Sequence, residues 1–172
     1  DVGRDVTGEE LLTKFDRVVL AGGAGRPRDL AVPGREAKGI LFAVDFLGQV
    51  TKALLDSDFQ KPPRKLAEDK NVLVVGGGDT GNDCVGTAIR QGCTGVVQLE
   101  MMPCPPAQRA PGNDWPEWPR VLKTDYGQQE AIAVFGSDPR RYQTTVSAFK
   151  ADNRGRVCGA VVQKLEARPG EN

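Results

Sequence analysis

Asn71-Val-Leu-Val-Val-Gly-Gly-Gly-Asp-Thr-Gly-Asn-Asp-Cys84 is the stretch around which the chain is built. Five residues, four of them apolar, run into three consecutive glycines and then into a helical pattern. Gly76, Gly78 and Gly81 fit G-x-G-x-x-G, with a strand pattern before the glycines and a helix pattern after them, which is the context that gives the motif meaning. Gly76 permits a tight turn out of the strand. Gly78, lacking Cβ, lets a diphosphate approach the backbone, and Gly81 lets the helix pack closely on the strand. The N–H groups at a helix start have no intrahelical partners, and the helix dipole there favours an anion. Gly76, Gly77, Gly78, Asp79, Thr80 and Gly81 are therefore the candidate cofactor-binding turn. A carboxylate beside a diphosphate is repelled, so Asp79 is expected to point away from it, and Thr80 to support the turn.

The helix after Gly81 carries Val85, Ala88 and Ile89 on one face and ends near Gly92, a suitable residue just past a helix. Val96-Val-Gln-Leu-Glu100 is the next strand. Strand, glycine turn, helix and strand make one βαβ unit. Glu100 lies nineteen positions beyond Gly81, where an acidic side chain either bonds the adenosine ribose hydroxyls or simply ends the strand. The fold class is α/β, a Rossmann-like parallel sheet flanked by helices. Near the C-terminus, Thr144-Thr-Val-Ser-Ala-Phe-Lys150 and Val157-Cys-Gly-Ala-Val-Val-Gln-Lys-Leu165 read as an antiparallel hairpin turning through residues 151–156.

Toward the N-terminus, Thr7 and Glu10 form a capping-box pattern that opens a short helix. Asp16-Arg-Val-Val-Leu-Ala21 reads as a buried strand ending in Gly22-Gly-Ala-Gly25. Phe42, Phe46, Leu47, Val50 and Leu54 recur at helical spacing, predicting a core-facing helix from about Ala43 to Asp56. Residues 61–70 are a polar, proline-containing connector. Residues 1–172 then form one nucleotide-binding domain: residues 1–35 are a junction from another domain, and residues 71–172 are the core. Between residues 103 and 120 lies an excursion rich in proline and bearing both tryptophans, which excludes regular helix and central strand. Within it Arg109 and Arg120 are the cations placed to reach phosphate, or else solvated surface arginines. The chain reads as cut from something longer.

The 172 residues suffice for one domain with a core. Lys plus Arg equals Asp plus Glu at 23 each, giving no reason to expect nucleic acid or an anionic membrane as partner. No apolar run approaches the ~20 residues of a membrane span. Cys84, Cys93, Cys104 and Cys158 show neither C-x-x-C nor zinc spacing and read as reduced thiols, with the cytoplasm expected and a plastid as the alternative. There is no histidine, which removes Ser-His and Cys-His nucleophilic machinery and His-ligated metals. No catalytic side chain and no metal ligand is assigned. A nicotinamide coenzyme needs none, because it carries the hydride chemistry itself.

Several stretches together resemble the small (beta) subunit or domain of glutamate synthase. They are Gly76-Gly-Gly-Asp-Thr-Gly-Asn-Asp-Cys84, Glu100-Met-Met-Pro103 with Pro105-Pro-x-x-Arg109, Trp115-Pro-Glu-Trp-Pro119, Asp125-Tyr-Gly127 and Asp138-Pro-Arg140. The upstream Gly25-Arg-Pro-Arg-Asp-Leu30 with Val32-Pro-Gly34 is similar to that family's passage from flavin domain to pyridine-nucleotide domain. The resemblance implies NADH or NADPH reducing FAD, and electrons passing through iron–sulfur clusters to a large (alpha) subunit that makes glutamate from glutamine and 2-oxoglutarate. This chain shows no second G-x-G-x-x-G for FAD and no clustered cysteines. It is expected to bind nucleotide alone but weakly, to catalyse nothing by itself, and to depend on the flavin and iron–sulfur parts of the same subunit. Where related reductases place an arginine pair for a 2′-phosphate, Met101 and Met102 follow Glu100, which tilts the expectation to NADH. Arg109 is the residue that could return and admit NADPH. The rivals are the nucleotide domain of another FAD and iron–sulfur oxidoreductase and a non-catalytic nucleotide-sensing or docking module.

Overall fold

The structure, a computed structural model, describes residues 1–23, 26–60 and 65–166. The first strand, β1 (Asn71–Val75), leads through the glycines into α3 (Asp79–Arg90) and on to β2 (Gly95–Leu99), after α1 (Gly8–Lys14) and α2 (Ala43–Asp56). β1 and β2 pair in parallel from Asn71 opposite Gly95 to Val75 opposite Leu99, the βαβ unit the sequence predicts. The remaining elements are α4 (Tyr126–Phe135), β3 (Arg140–Arg141), β4 (Thr144–Ala151) and β5 (Val157–Lys164). β3 extends the parallel sheet beyond β2, in the order β1-β2-β3, and β4–β5 form the separate antiparallel hairpin.

The core lies where sheet and helices meet. Val74 and Val96 from the strands, Cys84, Val85 and Ala88 from α3, and Ala131 from α4 are buried together, with Phe46 and Leu47 of α2 packed against them. Each large apolar side chain fully withdrawn from water contributes about 1.5–3 kcal/mol. The alternate residues of β1 face outward, and Leu73 and Val75 remain partly exposed. α1 begins with the anticipated reciprocal cap, Glu10 N–H donating to Thr7 Oγ1 and Thr7 N–H to Glu10 Oε2. Gly92, with φ of +86°, closes α3.

Three expectations need correction. Asp16 to Ala21 forms no strand and is not buried: Val19 and Leu20 are 86% and 88% exposed. An apolar, β-branched run becomes a strand only when another strand takes its backbone hydrogen bonds, and no described residue does so here. α4 was not anticipated, although its N-terminus carries a capping box between Asp125 and Gln128. α2 has the expected span, but its apolar stripe is only half-buried. The connector lies partly outside the described residues, at 61–64, as do residues 24 and 25 of the glycine-rich turn and of the family-like segment. The rest of the connector is docked: Leu66 and Ala67 N–H both donate to Gln91 Oε1 at the end of α3, and Ala67 is buried. Near the N-terminus, Phe149 N–H donates to Pro33 O, and Lys38 exchanges bonds with the hairpin turn at Gly155 and Val157, so residues 33–38 are stitched to the C-terminal hairpin.

Candidate functional site: the glycine turn and its cleft

The turn is set by backbone geometry first. Gly76 N–H continues the ladder by donating to Leu99 O at 2.9 Å. Gly76 itself adopts φ of +121°, a conformation a side chain would oppose. A Cβ on Gly81 would overlap the Gly76 carbonyl oxygen and lie 2.7 Å from Gln98 Nε2, so Gly81 is the close-packing glycine between helix and turn. Around Gly78 a Cβ would meet nothing within 4 Å, which leaves open space above the residue that caps α3.

The amides of this turn are available. α3 opens at Asp79, and its first backbone bond onto the cap runs from Asn82 N–H to Gly78 O at 3.0 Å. Among the described residues, no protein acceptor takes the N–H of Gly77, Gly78, Asp79, Thr80 or Gly81. Unsatisfied donors at a helix N-terminus, joined to the positive end of its dipole, form an anion site. Asp79 and Thr80 are exposed in the first turn of α3.

A buried polar chain holds the turn from behind. Gln98, with no exposed surface, donates from Nε2 to Gly76 O at 3.0 Å and accepts at Oε1 from Gln128 Nε2 at 3.1 Å. Gln128 Oε1 accepts from Asp125 N–H at 2.8 Å. Asn82 Oδ1 accepts from the N–H of Gly127 and of Gln128, at 3.0 and 3.2 Å. Most buried amides in a core are bonded, and here their bonds tie the turn to α4. The sequence reading missed Gln98, Asn82 and Gln128. A glutamine in the middle of an apolar strand was the available signal.

Glu100 follows β2 immediately. Its Oε1 accepts from Met102 N–H at 2.8 Å, and its other oxygen packs on Gly77, leaving no room for a Cβ there. Glu100 and the glycine turn thus come together. Arg109 does not join them: it donates to Asn113 O at 2.6 Å and Glu117 O at 3.0 Å within the proline-rich loop. That loop is ordered around Asn113, whose amide bonds Glu117, Trp118 O and Arg120 N–H. The tryptophans are not what orders it, for Trp115 and Trp118 are 85% and 75% exposed. Trp118 lines a cleft of about 210 Å³ together with Gly77, Glu100 and Met102. Lys123, Arg140 and Tyr142 line it too. The Arg140 guanidinium holds the Asp138 carboxyl below the usual carboxylate range, and Asp138 in turn raises Arg140. All four cysteines are free, and no cluster of metal-ligating side chains occurs among the described residues.

A parallel βαβ unit whose helix start presents free amides beside an acidic strand end defines a dinucleotide-binding module. The chain belongs to the pyridine nucleotide-disulphide oxidoreductase family, whose model matches residues 2–110. It is 46% identical over 168 residues to the NADH glutamate synthase of Schizosaccharomyces pombe, covering 96% of this chain and 8% of that protein. It is 43% identical over 157 residues to the NADPH glutamate synthase small chain of Bacillus subtilis, covering 91% of this chain and 32% of that one. The chain thus spans a third or less of the length of these relatives. Among solved structures, a substituted FprA from Mycobacterium tuberculosis aligns with a TM-score of 0.51 at 19% identity, over 99% of this chain and 48% of that one, a likeness of fold. No helix among the described residues is long and apolar enough to cross a membrane.

Proposed function

We propose that this chain is the NAD(P)H-binding unit of a glutamate synthase. In this reading the coenzyme diphosphate rests on the free amides of Gly77 to Gly81, and Glu100 accepts from the adenosine ribose. A bound nicotinamide would supply hydride to an FAD held elsewhere in the same subunit, and iron–sulfur clusters outside this chain would carry the electrons to a large subunit that makes glutamate from glutamine and 2-oxoglutarate. This chain's own residues bind and orient the coenzyme; none is assigned a proton or a covalent step. Residues 71–172 form the nucleotide-binding core, and residues 1–35 lead in from the flavin domain. The exposure of Val19 and Leu20 supports that junction, since such a run is suited to a sheet in a neighbouring domain. Free cysteines suit a reducing compartment, the cytoplasm or a plastid.

The observation that carries the proposal is the row of unbonded amides over Gly76, in a chain whose relatives are glutamate synthases of both coenzyme types. On coenzyme choice, the Glu100 carboxylate favours a ribose 2′-hydroxyl over a 2′-phosphate, which leans toward NADH.

Gly78 provides the test. Its φ of −77° and ψ of −175° suit alanine, and a Cβ there touches no protein atom. Gly78→Ala is expected to alter stability by less than about 1 kcal/mol. It should weaken NAD(P)H binding about tenfold or more, because the methyl occupies the space of the diphosphate. Coenzyme-fluorescence titration beside a denaturant melt reads both quantities. Unchanged affinity in a folded Gly78→Ala protein would remove the proposal.

A further inference from the structure

The cleft between Glu100 and Trp118 holds a cation that the coenzyme turn does not use. We propose that Lys123 is the residue that admits a 2′-phosphate on the coenzyme, in the cleft that it shares with Glu100. This rests on the coenzyme-site reading above and adds to it the source of coenzyme selectivity.

Arg140 lines the cleft, but its guanidinium is spent on Asp138, on Lys123 O at 2.6 Å and on Thr124 Oγ1 at 3.2 Å, and its side chain is 8% exposed. Arg109 is committed to the carbonyls of its own loop. Lys123 also lines the cleft, and its ammonium stands 4.1 Å from the centre of the Trp118 ring. Among the described residues it bonds no carboxylate and no carbonyl. An ammonium has three N–H donors, and those turned away from the Trp118 face remain to be given. Tyr142 also lines the cleft, with its hydroxyl buried beside the Cys104 thiol.

Glu100, in the same cleft, has the opposite effect. Glu100 lies against Gly77, held there by the Met102 N–H. A ribose seated beside the glycine turn would have its 2′ position between a fixed carboxylate and a free ammonium. A 2′-hydroxyl satisfies Glu100. A 2′-phosphate is repelled by Glu100 and gains a charge-assisted bond from Lys123. Selectivity is the difference between those terms, and Lys123 sets the term that favours the phosphate.

The test uses the natural enzyme that carries this chain, assayed with both coenzymes. Lys123→Met removes the charge that sits over Trp118 and keeps an unbranched side chain of similar length. The backbone carbonyl that binds Arg140 is untouched. The ratio of NADPH to NADH affinity, from coenzyme-fluorescence titration, and the corresponding ratio of kcat/KM are each expected to fall about tenfold, to recover in Lys123→Arg, and to rise in Glu100→Gln. A merely structural lysine would shift both coenzymes together and leave the ratio fixed. If both coenzymes bind the wild-type enzyme and the ratio in Lys123→Met stays within about twofold of wild type, the assignment of Lys123 is overturned while the coenzyme site stands. If neither coenzyme binds the wild-type enzyme, the coenzyme-site reading falls and this assignment falls with it.

Discussion

Replacing Gln98 by methionine is expected to damage both the stability of the fold and the grip on nucleotide, through one buried side chain. Gln98 links Gly76 O to Gln128 Nε2 and has no exposed surface. Methionine fills nearly the same volume, so the loss is polar rather than steric. The bond to Gly76 O is worth about 1 kcal/mol net, and the orphaned Gln128 amide costs about 1–3 kcal/mol more. The sum, about 2–4 kcal/mol, is a large share of a domain's usual stability of about 5–15 kcal/mol. It corresponds to a fall in Tm of roughly 4–16 °C for a chain of this size. Freed from Gln98, the Gly76 carbonyl no longer fixes the peptide that aims the Gly77 N–H, and nucleotide Kd is expected to rise about tenfold. Urea melts and coenzyme titrations of Gln98→Met, Gln128→Met and the double variant form a cycle. Because one loss orphans the partner of the other, the double variant should be less destabilised than the sum of the singles by about 1–2 kcal/mol. Strict additivity with an unchanged Kd would refute the claim that this chain of amides supports the turn.

Three further outcomes follow from the same geometry. Gly81→Ala should lose about 1–3 kcal/mol in a urea melt, since its Cβ meets Gly76 O and Gln98 Nε2; a neutral result would show that α3 does not sit as close to the turn as described. Asn82→Ala should cost about 2–3 kcal/mol, because Asn82 Oδ1 receives the N–H groups of both Gly127 and Gln128 at the start of α4, and hydrogen exchange should show α4 opening before α3. Burial, with a smaller contribution from Asp83, pushes the Cys84 thiol up to about 11. Iodoacetamide at pH 8 should therefore label exposed Cys104 and Cys158 and spare Cys84, read by mass spectrometry. The unfolded thiol ionises near 9.0. The Cys84 contribution to stability is thus complete below that pH and is lost as pH rises toward 11; melts that are flat across this alkaline window would contradict the burial.

The parts of the fold written in local patterns were legible. Thr7 and Glu10 cap α1 within one turn of chain, the stripe from Phe42 to Leu54 gives the span of α2, and the glycines of the turn fix β1, α3 and β2. Legibility failed where a distant partner decides the outcome. Asp16 to Ala21 has the composition of a strand, but composition supplies no hydrogen-bond neighbour. α4 was overlooked because its apolar residues do not gather on one face and because Gly127 sits in its first turn. That glycine is there for α3, not for α4: a Cβ would overlap the Asn82 carbonyl oxygen. β3, two residues long, has no periodicity to read. At the site, the amides and Glu100 came directly from spacing. Lys123 was invisible, since it enters the cleft by way of the Trp118 loop and of Arg140, which holds its backbone carbonyl.

The most direct test of the whole account is a structure of the natural enzyme carrying this chain with NADH or NADPH bound. The account predicts the diphosphate oxygens within about 3.2 Å of N–H groups between Gly77 and Gly81, with the ribose beside Glu100. A coenzyme seated elsewhere, with those amides turned away or covered by protein, would contradict it.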